Sequence, residues 1–222
     1  MSKSQFEILS PFVSEARLAT FNRALNRRTR KISVVLENVY QSRNASAVMR
    51  TCDAMGIQDV HLIENINPWV FNRGVSKGTP TWLTLRRYHS ESNPAEACIK
   101  TLKQAGYKLA VTSPHVDGFE PKDLPLDDPI ALVMGTEFEG VSDAFLDAAD
   151  YHIQIPMMGM AESLNISVAA GMILHRLIEN LHSQPPDQWQ LNDEEKAAIM
   201  LEWTKKSVRH SNKILRHFES AE

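Results

Sequence analysis

The sequence is poor in features that mark several classes of protein. Only two cysteines occur among 222 residues, Cys52 and Cys98, and they form no Cys-x-x-Cys pair. They predict neither a disulfide framework nor a zinc site, and they suit a reducing compartment. No run of 18 apolar residues occurs, and the first residues lack the apolar core of a signal peptide. We therefore expect a soluble, cytoplasmic protein that binds neither a membrane nor a metal ion.

Motifs of several enzyme classes are missing as well. None of the nine glycines belongs to a Gly-x-Gly pair, so the Rossmann fingerprint is absent. Gly135 and Gly140 have the spacing of a phosphate-binding loop, but Val141 and Ser142 follow where that loop needs Lys and Ser or Thr. Ser163 lies in neither Gly-x-Ser-x-Gly nor Ser-x-x-Lys. These absences disfavour dehydrogenases, P-loop nucleotidases and serine hydrolases.

The net charge of −3 hides an uneven distribution of charge along the chain. Residues 1–31 contain seven basic and two acidic residues and carry +5, whereas residues 32–192 contain 11 basic and 19 acidic residues and carry −8. Residues 203–217 contain five lysines and arginines and no acidic residue. Two basic ends on an acidic body predict either two solvent-exposed helix faces or two surfaces that bind nucleic-acid phosphates.

The pattern of apolar residues predicts an α/β fold. Leu18, Phe21 and Leu25 recur at helical spacing, which predicts a helix over 14–28 with arginines on its other face. From Ile32 onward, short apolar strands alternate with helices, which favours a mostly parallel sheet with helices on both faces. The expected strands are 32–39, 59–63, 108–111, 130–134 and 152–155.

Capping residues set the expected ends of the helices. Asn44, Asn93 and Asn192 are predicted N-caps, and Gly56 and Gly106 are predicted to end the helices that precede them. The expected helices after the first are 44–56, 93–106, 142–149, 165–181 and 192–218. With a break at 183–187, this pattern predicts a helical extension over 1–31, a main domain over 32–182 and a helical extension over 183–222.

The first of three candidate functional segments is 42–50, which follows the first expected strand. Ligands bind at the carboxyl ends of parallel strands, so loops in this position are the ones to inspect. Asn44 would direct its amide toward the strand ends, and Arg50 lies six residues further along the helix. The alternative is that Asn44 only caps the helix and that Arg50 forms a surface ion pair with Asp53.

The other two segments are 135–140 and 153–165. Glycines at both ends of the first allow close approach of its backbone to a ligand, and the alternative is a tight turn before a helix capped by Ser142. The second combines proline, glycine and three methionines in a loop, which favours a pocket for a partly apolar ligand such as an adenine with a thioether chain. Ser163 and Asn165 could bind that ligand or only cap a helix.

Taken together, the three segments resemble the SPOUT class of RNA methyltransferases, in its branch that methylates ribose 2'-hydroxyls. The resemblance rests on Asn44 followed six residues later by Arg50, on Gly-x-Glu-x-x-Gly at 135–140, and on Ile-Pro-Met-x-Gly-x-x-x-Ser-Leu-Asn from Ile155. It covers about residues 32–180. It implies a deep trefoil knot over 130–181, which is an exception to the rule that chains avoid knots.

The resemblance also implies a cofactor, a set of functional residues and an assembly. The cofactor is S-adenosyl-L-methionine, and the family is homodimeric, with Asn44 and Arg50 placed at the subunit interface near the cofactor. Guanidinium stays protonated, so we expect Arg50 to stabilise the developing alkoxide and grip a phosphate instead of accepting a proton. The implied catalytic residues are Arg50, Asn44, Glu137, Ser163 and Asn165. The implied cofactor-binding residues are Thr112, Gly135, Ile155, Met157 and Leu164.

The basic ends predict which RNA is the substrate. A helix at each end of the knot domain is similar to the family members that methylate guanosine 18 of tRNA, whereas rRNA relatives tend to carry a separate N-terminal RNA-binding domain. We therefore expect a tRNA substrate. The alternatives are 2'-O-methylation of rRNA, or RNA binding without catalysis. The expected RNA-binding residues are Arg27, Arg28, Arg30, Arg176, Lys205, Lys206 and Arg209.

Overall fold

A parallel β-sheet forms the centre of the structure. The computed structural model describes residues 4–39, 41–64, 78–89, 92–113, 116–136 and 139–219. Within these ranges six strands form one sheet in the order β3-β2-β1-β5-β4-β6, and every pairing is parallel. The strands are β1 Ile32–Glu37, β2 Asp59–Ile63, β3 Thr84–Tyr88, β4 Lys108–Thr112, β5 Ile130–Met134 and β6 Tyr151–Ile153. The predicted α/β class and the mostly parallel sheet are confirmed.

Helices cover both faces of this sheet. The described helices are α1 Gln5–Leu9, α2 Glu15–Leu25, α3 Ser42–Ala54, α4 Pro94–Gln104, α5 Asp143–Ala148, α6 Ile166–His182, α7 Asp193–Ser207 and α8 Ser211–Glu219. On one face, alternate residues of β1 pack with α3 and α6, as Val34, Val48 and Leu177 illustrate. On the other face, Val35 belongs to a cluster with residues of α4 and α5. Because both faces of the sheet are covered, every residue of β1, β2 and β5 is buried, including the polar residues Ser33, Glu37, Asp59 and His61.

The chain divides into two compact units. One contains residues 29–189 and therefore the whole sheet with α3 to α6. The other contains residues 1–28 together with 190–222. In this second unit Leu9, Val208 and Leu215 form a small apolar core, and the rings of Phe21 and Trp203 meet edge to face at 5.3 Å.

Several predicted boundaries are correct because their capping chemistry is local. Asn93 accepts a hydrogen bond from the backbone of Glu96, with Pro94 at the first position of α4. Asn165 caps α6, and Asn192 caps α7 with a full capping box. Gly106 follows α4 with φ +83°, the left-handed conformation that ends a helix.

Other predicted boundaries are wrong. Asn44 does not cap α3, because the helix begins two residues earlier with Gln41 as its N-cap, and Asn44 lies in its first turn. The helix expected over 192–218 is two helices, separated where His210 adopts a left-handed φ of 61°. The first long helix starts at its predicted cap, Ser14, but ends at Leu25 and so is shorter than predicted at its C-terminal end, and the edge strand β3 was not predicted. Arginines at two of its five positions obscure the apolar pattern of that strand.

No helix within the described residues is both long and apolar enough to cross a membrane.

Candidate active site

A cavity of about 430 Å³ lies at the carboxyl ends of β4, β5 and β6. Its walls come from the ends of these strands, from the β5–α5 loop and from the loop that leads into α6. All five residues that the resemblance assigns to the cofactor belong to this lining: Thr112, Gly135, Ile155, Met157 and Leu164. The fold therefore gathers in one place residues that lie up to 52 positions apart in sequence.

The glycines of the β5–α5 loop allow its backbone to fold back on itself. The Thr136 N–H donates to the Gly140 carbonyl across 2.8 Å, and Gly140 has φ +73°. A Cβ atom on Gly135 would lie only 1.9 Å from the same carbonyl oxygen, so glycine is required there. The Thr136 hydroxyl accepts the Glu139 N–H at 2.9 Å and tightens the turn. Glu137, which was predicted to be catalytic, lies outside the described residues.

The wall formed by β4 is held by hydrogen bonds to both neighbouring strands. The Thr112 hydroxyl donates to the Val133 carbonyl at 3.1 Å, and the Ser113 N–H donates to the Ile153 carbonyl at 3.1 Å. Ser113 and Val116 also line the cavity, and neither was predicted from the sequence. Their position immediately after an expected strand is the signal that could have identified them.

The two asparagines of the predicted catalytic set lie next to each other. Asn165 Oδ1 accepts the Ser167 N–H at 2.9 Å and the Ser167 hydroxyl at 2.6 Å, which caps α6. Asn165 Nδ2 donates to Asn44 Oδ1 across 3.4 Å. Neither asparagine lines the cavity, whereas Ser163 does. The third segment therefore serves both as a helix cap and as a wall of the cavity.

Arg50 is exposed on α3 and is not part of the cavity lining. Its side chain forms no ion pair with any residue that the structure describes, so the alternative of a surface ion pair with Asp53 receives no support. Arg50 and the cavity are not assembled into one site within the single chain. The catalytic role of Arg50 remains a prediction.

The charge of the cavity restricts the ligands that it can bind. Its described lining contains Glu139 and Glu162 and no lysine, arginine or histidine. Much of the rest is apolar, including Met134, Ile155 and Met157. Such a wall disfavours polyphosphates and suits a ligand that combines apolar groups with positive charge. Among the described residues no cluster of histidine, cysteine and acidic side chains could hold a metal ion.

The expected RNA-binding residues differ in how available their side chains are. Arg27 and Arg209 are exposed in the unit formed by 1–28 and 190–222. Arg28 is only 4% exposed, and its guanidinium lies 4.9 Å from the centre of the Trp203 ring. Its burial contradicts the expectation that it contacts a phosphate, because the guanidinium is already engaged by the ring.

Ion pairs engage three more of these residues. Arg30 pairs with Asp59 at 2.9 Å, Arg176 with Glu179 at 2.8 Å, and Lys205 with Glu202 at 3.5 Å. Arg30 also lies in the unit of the sheet and not in the unit of the terminal helices. Lys206 is exposed, and partial desolvation of its ammonium group lowers its pKa.

A buried polar cluster, formed by side chains of β2, β3 and α4, lies outside the cavity. His61 Nδ1 is 2.9 Å from the Tyr88 hydroxyl and 3.8 Å from Cys98 Sγ. Burial, followed by the positive charge of Arg86, lowers the pKa of His61 to about 4. Burial likewise raises the pKa of Tyr88 and of Cys98, each to about 12. All three groups are therefore neutral near pH 7, and Cys98 is an unreactive thiol.

Known proteins match this chain over most of its length. The family described as "SpoU rRNA Methylase family" matches residues 31–175. A Borreliella burgdorferi protein named tRNA (guanosine(18)-2'-O)-methyltransferase is 34% identical over 203 residues, 91% of this chain and 91% of that protein. A Thermus thermophilus protein of the same name is 33% identical over 198 residues, 87% of this chain and 98% of that protein. The crystal structure of the A. aeolicus TrmH/SpoU tRNA modifying enzyme superposes with a TM-score of 0.78 at 30% identity, covering 88% of this chain and 98% of that one.

Proposed function

The chain belongs to the SpoU rRNA methylase family, and from this premise we propose that it methylates the ribose 2'-hydroxyl of guanosine 18 in tRNA, using S-adenosyl-L-methionine. The observation that carries the proposal is the similarity to proteins named for that reaction, which extends over about nine-tenths of this chain. These alignments are longer than the unit 29–189 that holds the sheet, so they extend into the terminal segments. A relationship limited to the sheet domain would support only the reaction class.

The cavity suits the proposed cofactor. S-Adenosylmethionine combines an adenine and a thioether-like chain with a cationic sulfonium and an ammonium group. The apolar wall of Ile155 and Met157 fits the adenine and the methylene groups of the chain. The carboxylates of Glu139 and Glu162 complement the positive charges of the sulfonium and the ammonium group. Gly135 lets the loop backbone fold back onto Gly140 in the wall of the cavity. When bound, this cofactor supplies an electrophilic methyl group.

The chemistry that remains for the protein is to activate and orient the ribose hydroxyl. In the reaction the 2'-oxygen loses its proton, forms a bond to the methyl carbon, and the bond from that carbon to sulfur breaks. We assign Arg50 to stabilising the negative charge that develops on the 2'-oxygen and to holding the adjacent phosphate. Its guanidinium remains protonated, so the proton passes to solvent or to another group.

The remaining predicted catalytic residues orient the loops around the reacting groups. Asn165 both caps α6 and donates to Asn44, so it links the segment that leads to Arg50 with the loop that lines the cavity. Ser163 is part of the cavity lining two residues before this link. We expect Glu137 to order the β5–α5 loop by hydrogen bonds, as the family resemblance implies.

A homodimer would bring Arg50 close to a cofactor cavity. Met158 and Met160 are 93% and 103% exposed, and on α6 Val168 and Met172 are about half exposed, at 49% and 48%. Exposed large apolar side chains grouped around one helix favour burial against a second copy of the chain. We propose that this face of α6 is the dimer interface and that Asn44 and Arg50 of one subunit complete the site of the other.

The terminal unit is the proposed tRNA-binding element. It joins residues 1–28 to 190–222 and presents Arg27 and Arg209 to solvent. We propose that the exposed basic side chains of this unit, including those on α7 and α8, contact tRNA phosphates. The reducing cytoplasm, where such a substrate occurs, also suits the two buried cysteines, which are not joined in a disulfide.

A trefoil knot is the proposed topology of residues 130–181. The sheet order places β4 between β5 and β6, and the segment after β4 bonds to β6 through the Phe119 N–H and the His152 carbonyl at 2.8 Å. A Cβ on Gly118 would lie 2.4 Å from that same carbonyl, so the two segments pass very close to each other. This close parallel pairing places the chain that follows β4 beside β6, which supports the knot that the family resemblance implies.

The test is methyl transfer from labelled cofactor to unmodified tRNA and rRNA, with mapping of the modified nucleotide. We expect one 2'-O-methyl group per tRNA, at guanosine 18, and none when that ribose is a 2'-deoxyribose. Transfer to rRNA alone would replace the substrate assignment. Binding of tRNA without any transfer would identify an RNA-binding protein that lacks catalysis.

A further inference from the structure

A buried carboxylate at the end of β1 holds the end of the β5–α5 loop. Glu37 is the last residue of β1 and is 3% exposed. Its Oε2 accepts the backbone N–H of Ser142 at 2.9 Å, and its Oε1 accepts the hydroxyl of Ser142 at 2.7 Å. The two residues are separated by 105 positions in sequence.

These two bonds replace an ordinary helix cap. Ser142 is the N-cap of α5, but its side chain accepts no hydrogen bond from the helix, and its hydroxyl donates to Glu37. A carboxylate removed from water needs partners for both oxygens, and Ser142 supplies both. The pairing therefore fixes the position of Ser142 relative to β1 with two charge-assisted hydrogen bonds.

Ser142, which these two bonds hold in place, lies next to the wall of the cavity. Gly140 and Val141, which immediately precede Ser142, line the cavity, as does Leu146 within α5. The other end of the loop is already fixed, because β5 pairs with β1 and Leu36 is the partner of Met134. Both ends of the Gly135–Gly140 loop are thus attached to the same strand.

We propose that Glu37 is a positioning residue for cofactor binding, which it serves by anchoring Ser142 and so holding the Gly135–Gly140 loop in its binding conformation. The inference rests on the proposed function and extends it to a residue that does not line the cavity. Without the hydrogen bonds from Ser142 to Glu37, the C-terminal end of the loop is no longer attached to β1. The sequence of the loop and its internal hydrogen bonds do not change. Cofactor affinity then falls because the bound conformation is populated less.

The test compares five variants of the full chain: Glu37→Ala, Glu37→Gln, Ser142→Ala, Ser142→Thr and Ser33→Ala. Glu37→Ala removes both bonds and Ser142→Ala removes one. Glu37→Gln keeps an oxygen for the N–H and gains an amide that can donate to the Ser142 oxygen, and Ser142→Thr keeps the hydroxyl. The matched control Ser33→Ala removes a hydroxyl bond of the same strand, from Ser33 to the Asp59 carbonyl at 3.1 Å, far from the loop.

The measurements are calorimetric affinity for S-adenosylmethionine and S-adenosylhomocysteine, affinity for tRNA, and steady-state kinetics. Loss of charge-assisted bonds predicts cofactor affinity weakened about 10-fold or more in Glu37→Ala and about 5-fold in Ser142→Ala. Ser142→Thr and Ser33→Ala should stay within about 2-fold of the wild type, and Glu37→Gln, which can keep both bonds without their charge, should fall between the wild type and Glu37→Ala. The KM for the cofactor should rise with kcat at saturation retained, and tRNA affinity should not change.

Unchanged cofactor affinity in both alanine variants would overturn the inference, as would a loss confined to kcat. If Glu37→Ala fails to fold, Ser142→Ala still decides the matter, because Ser142 is exposed and one of its two bonds remains. Failure of the proposed function is distinguishable from failure of the inference, since in that case the wild-type chain itself would not bind either cofactor form.

Discussion

The side-chain amide of Asn165 donates to the amide oxygen of Asn44 across 3.4 Å, although 121 residues separate them in the sequence. The same Asn165 caps α6 through its oxygen, so its two amide atoms perform two separate tasks. Asn44 lies on α3, which also carries Arg50. The contact therefore connects the helix of the proposed catalytic arginine with the loop that lines the cavity.

Two substitutions separate the tasks of Asn165. Asn165→Asp keeps the oxygen that caps α6 and adds a negative charge at the helix N-terminus, so we expect unchanged or higher resistance to unfolding by urea. It removes the amide donor to Asn44, and methyl transfer should fall. Asn165→Ala removes both functions and should also lower the free energy of unfolding by about 1 kcal/mol. Full activity in Asn165→Asp would exclude a functional role for the contact.

Arg50→Ala is expected to lower the rate of methyl transfer by about 100-fold or more, because it removes the group that stabilises the charged oxygen. Cofactor affinity should not change, since Arg50 does not line the cavity. Arg50→Lys should restore only part of the rate, because lysine lacks the planar fork that contacts oxygen and phosphate together. Arg43→Ala, a loss of the same charge on the same helix, is the control, and a similar loss in that variant would reduce the effect to general electrostatics.

The dependence of tRNA affinity on salt should separate Arg27 and Arg209 from Arg28. Replacing Arg27 and Arg209 together by alanine removes two exposed charges and should lower the salt slope by about 1.5. Arg28→Ala should leave the slope unchanged and lower the free energy of unfolding by about 1–2 kcal/mol, because its guanidinium packs on Trp203. A slope that falls for Arg28→Ala would show that the ring contact opens when RNA binds.

Gly135→Ala is expected to abolish cofactor binding. The added Cβ would lie 1.9 Å from the Gly140 carbonyl oxygen, so the loop would have to open. Gly159→Ala is the matched control, because a Cβ there has no atom within 4 Å and the residue has no left-handed φ. Calorimetry with S-adenosylmethionine measures both effects, and normal binding by Gly135→Ala would mean that the loop closure is not needed for the ligand.

Acid should destabilise the fold through His61. Its pKa is about 4 in the folded chain against 6.5 for an unperturbed histidine, so the unfolded chain binds more protons between these two values. The stability that the neutral imidazole contributes is complete above pH 6.5 and is lost as the pH falls toward 4. The loss should reach about 3 kcal/mol at the lower end.

Urea unfolding at pH 7, 6 and 5 measures this loss, with His61→Phe as the variant that cannot be protonated. The variant should retain more of its pH 7 stability at pH 5 than the wild type does. Replacement of the exposed His175 by glutamine is the control and should leave the wild-type pH dependence intact. Equal slopes for all three proteins would rule out His61 as the source.

Local chemistry explains which parts of the fold could be predicted. The strand Ile130–Met134 and the start of α6 at Asn165 follow from a fully apolar run and from a capping side chain, and both are as predicted. The start of α3 was misplaced because Asn44 resembles a cap but instead faces Asn165, which is distant in sequence. The strand Thr84–Tyr88 escaped prediction because its arginines lie at a sheet edge, where exposure permits charge.

By itself, the sequence determined the α/β class, the parallel sheet and the three segments that resemble a methyltransferase. Each of these depends on residue types at short spacings, which is information that a linear pattern retains. Only the tertiary structure decided that Thr112, Gly135 and Leu164 share one cavity, that Arg28 is engaged by Trp203, and that Glu37 anchors Ser142. Asn44 and Asn165 meet for the same reason, because contacts between segments of distant sequence arise only when the sheet brings the carboxyl ends of its strands together.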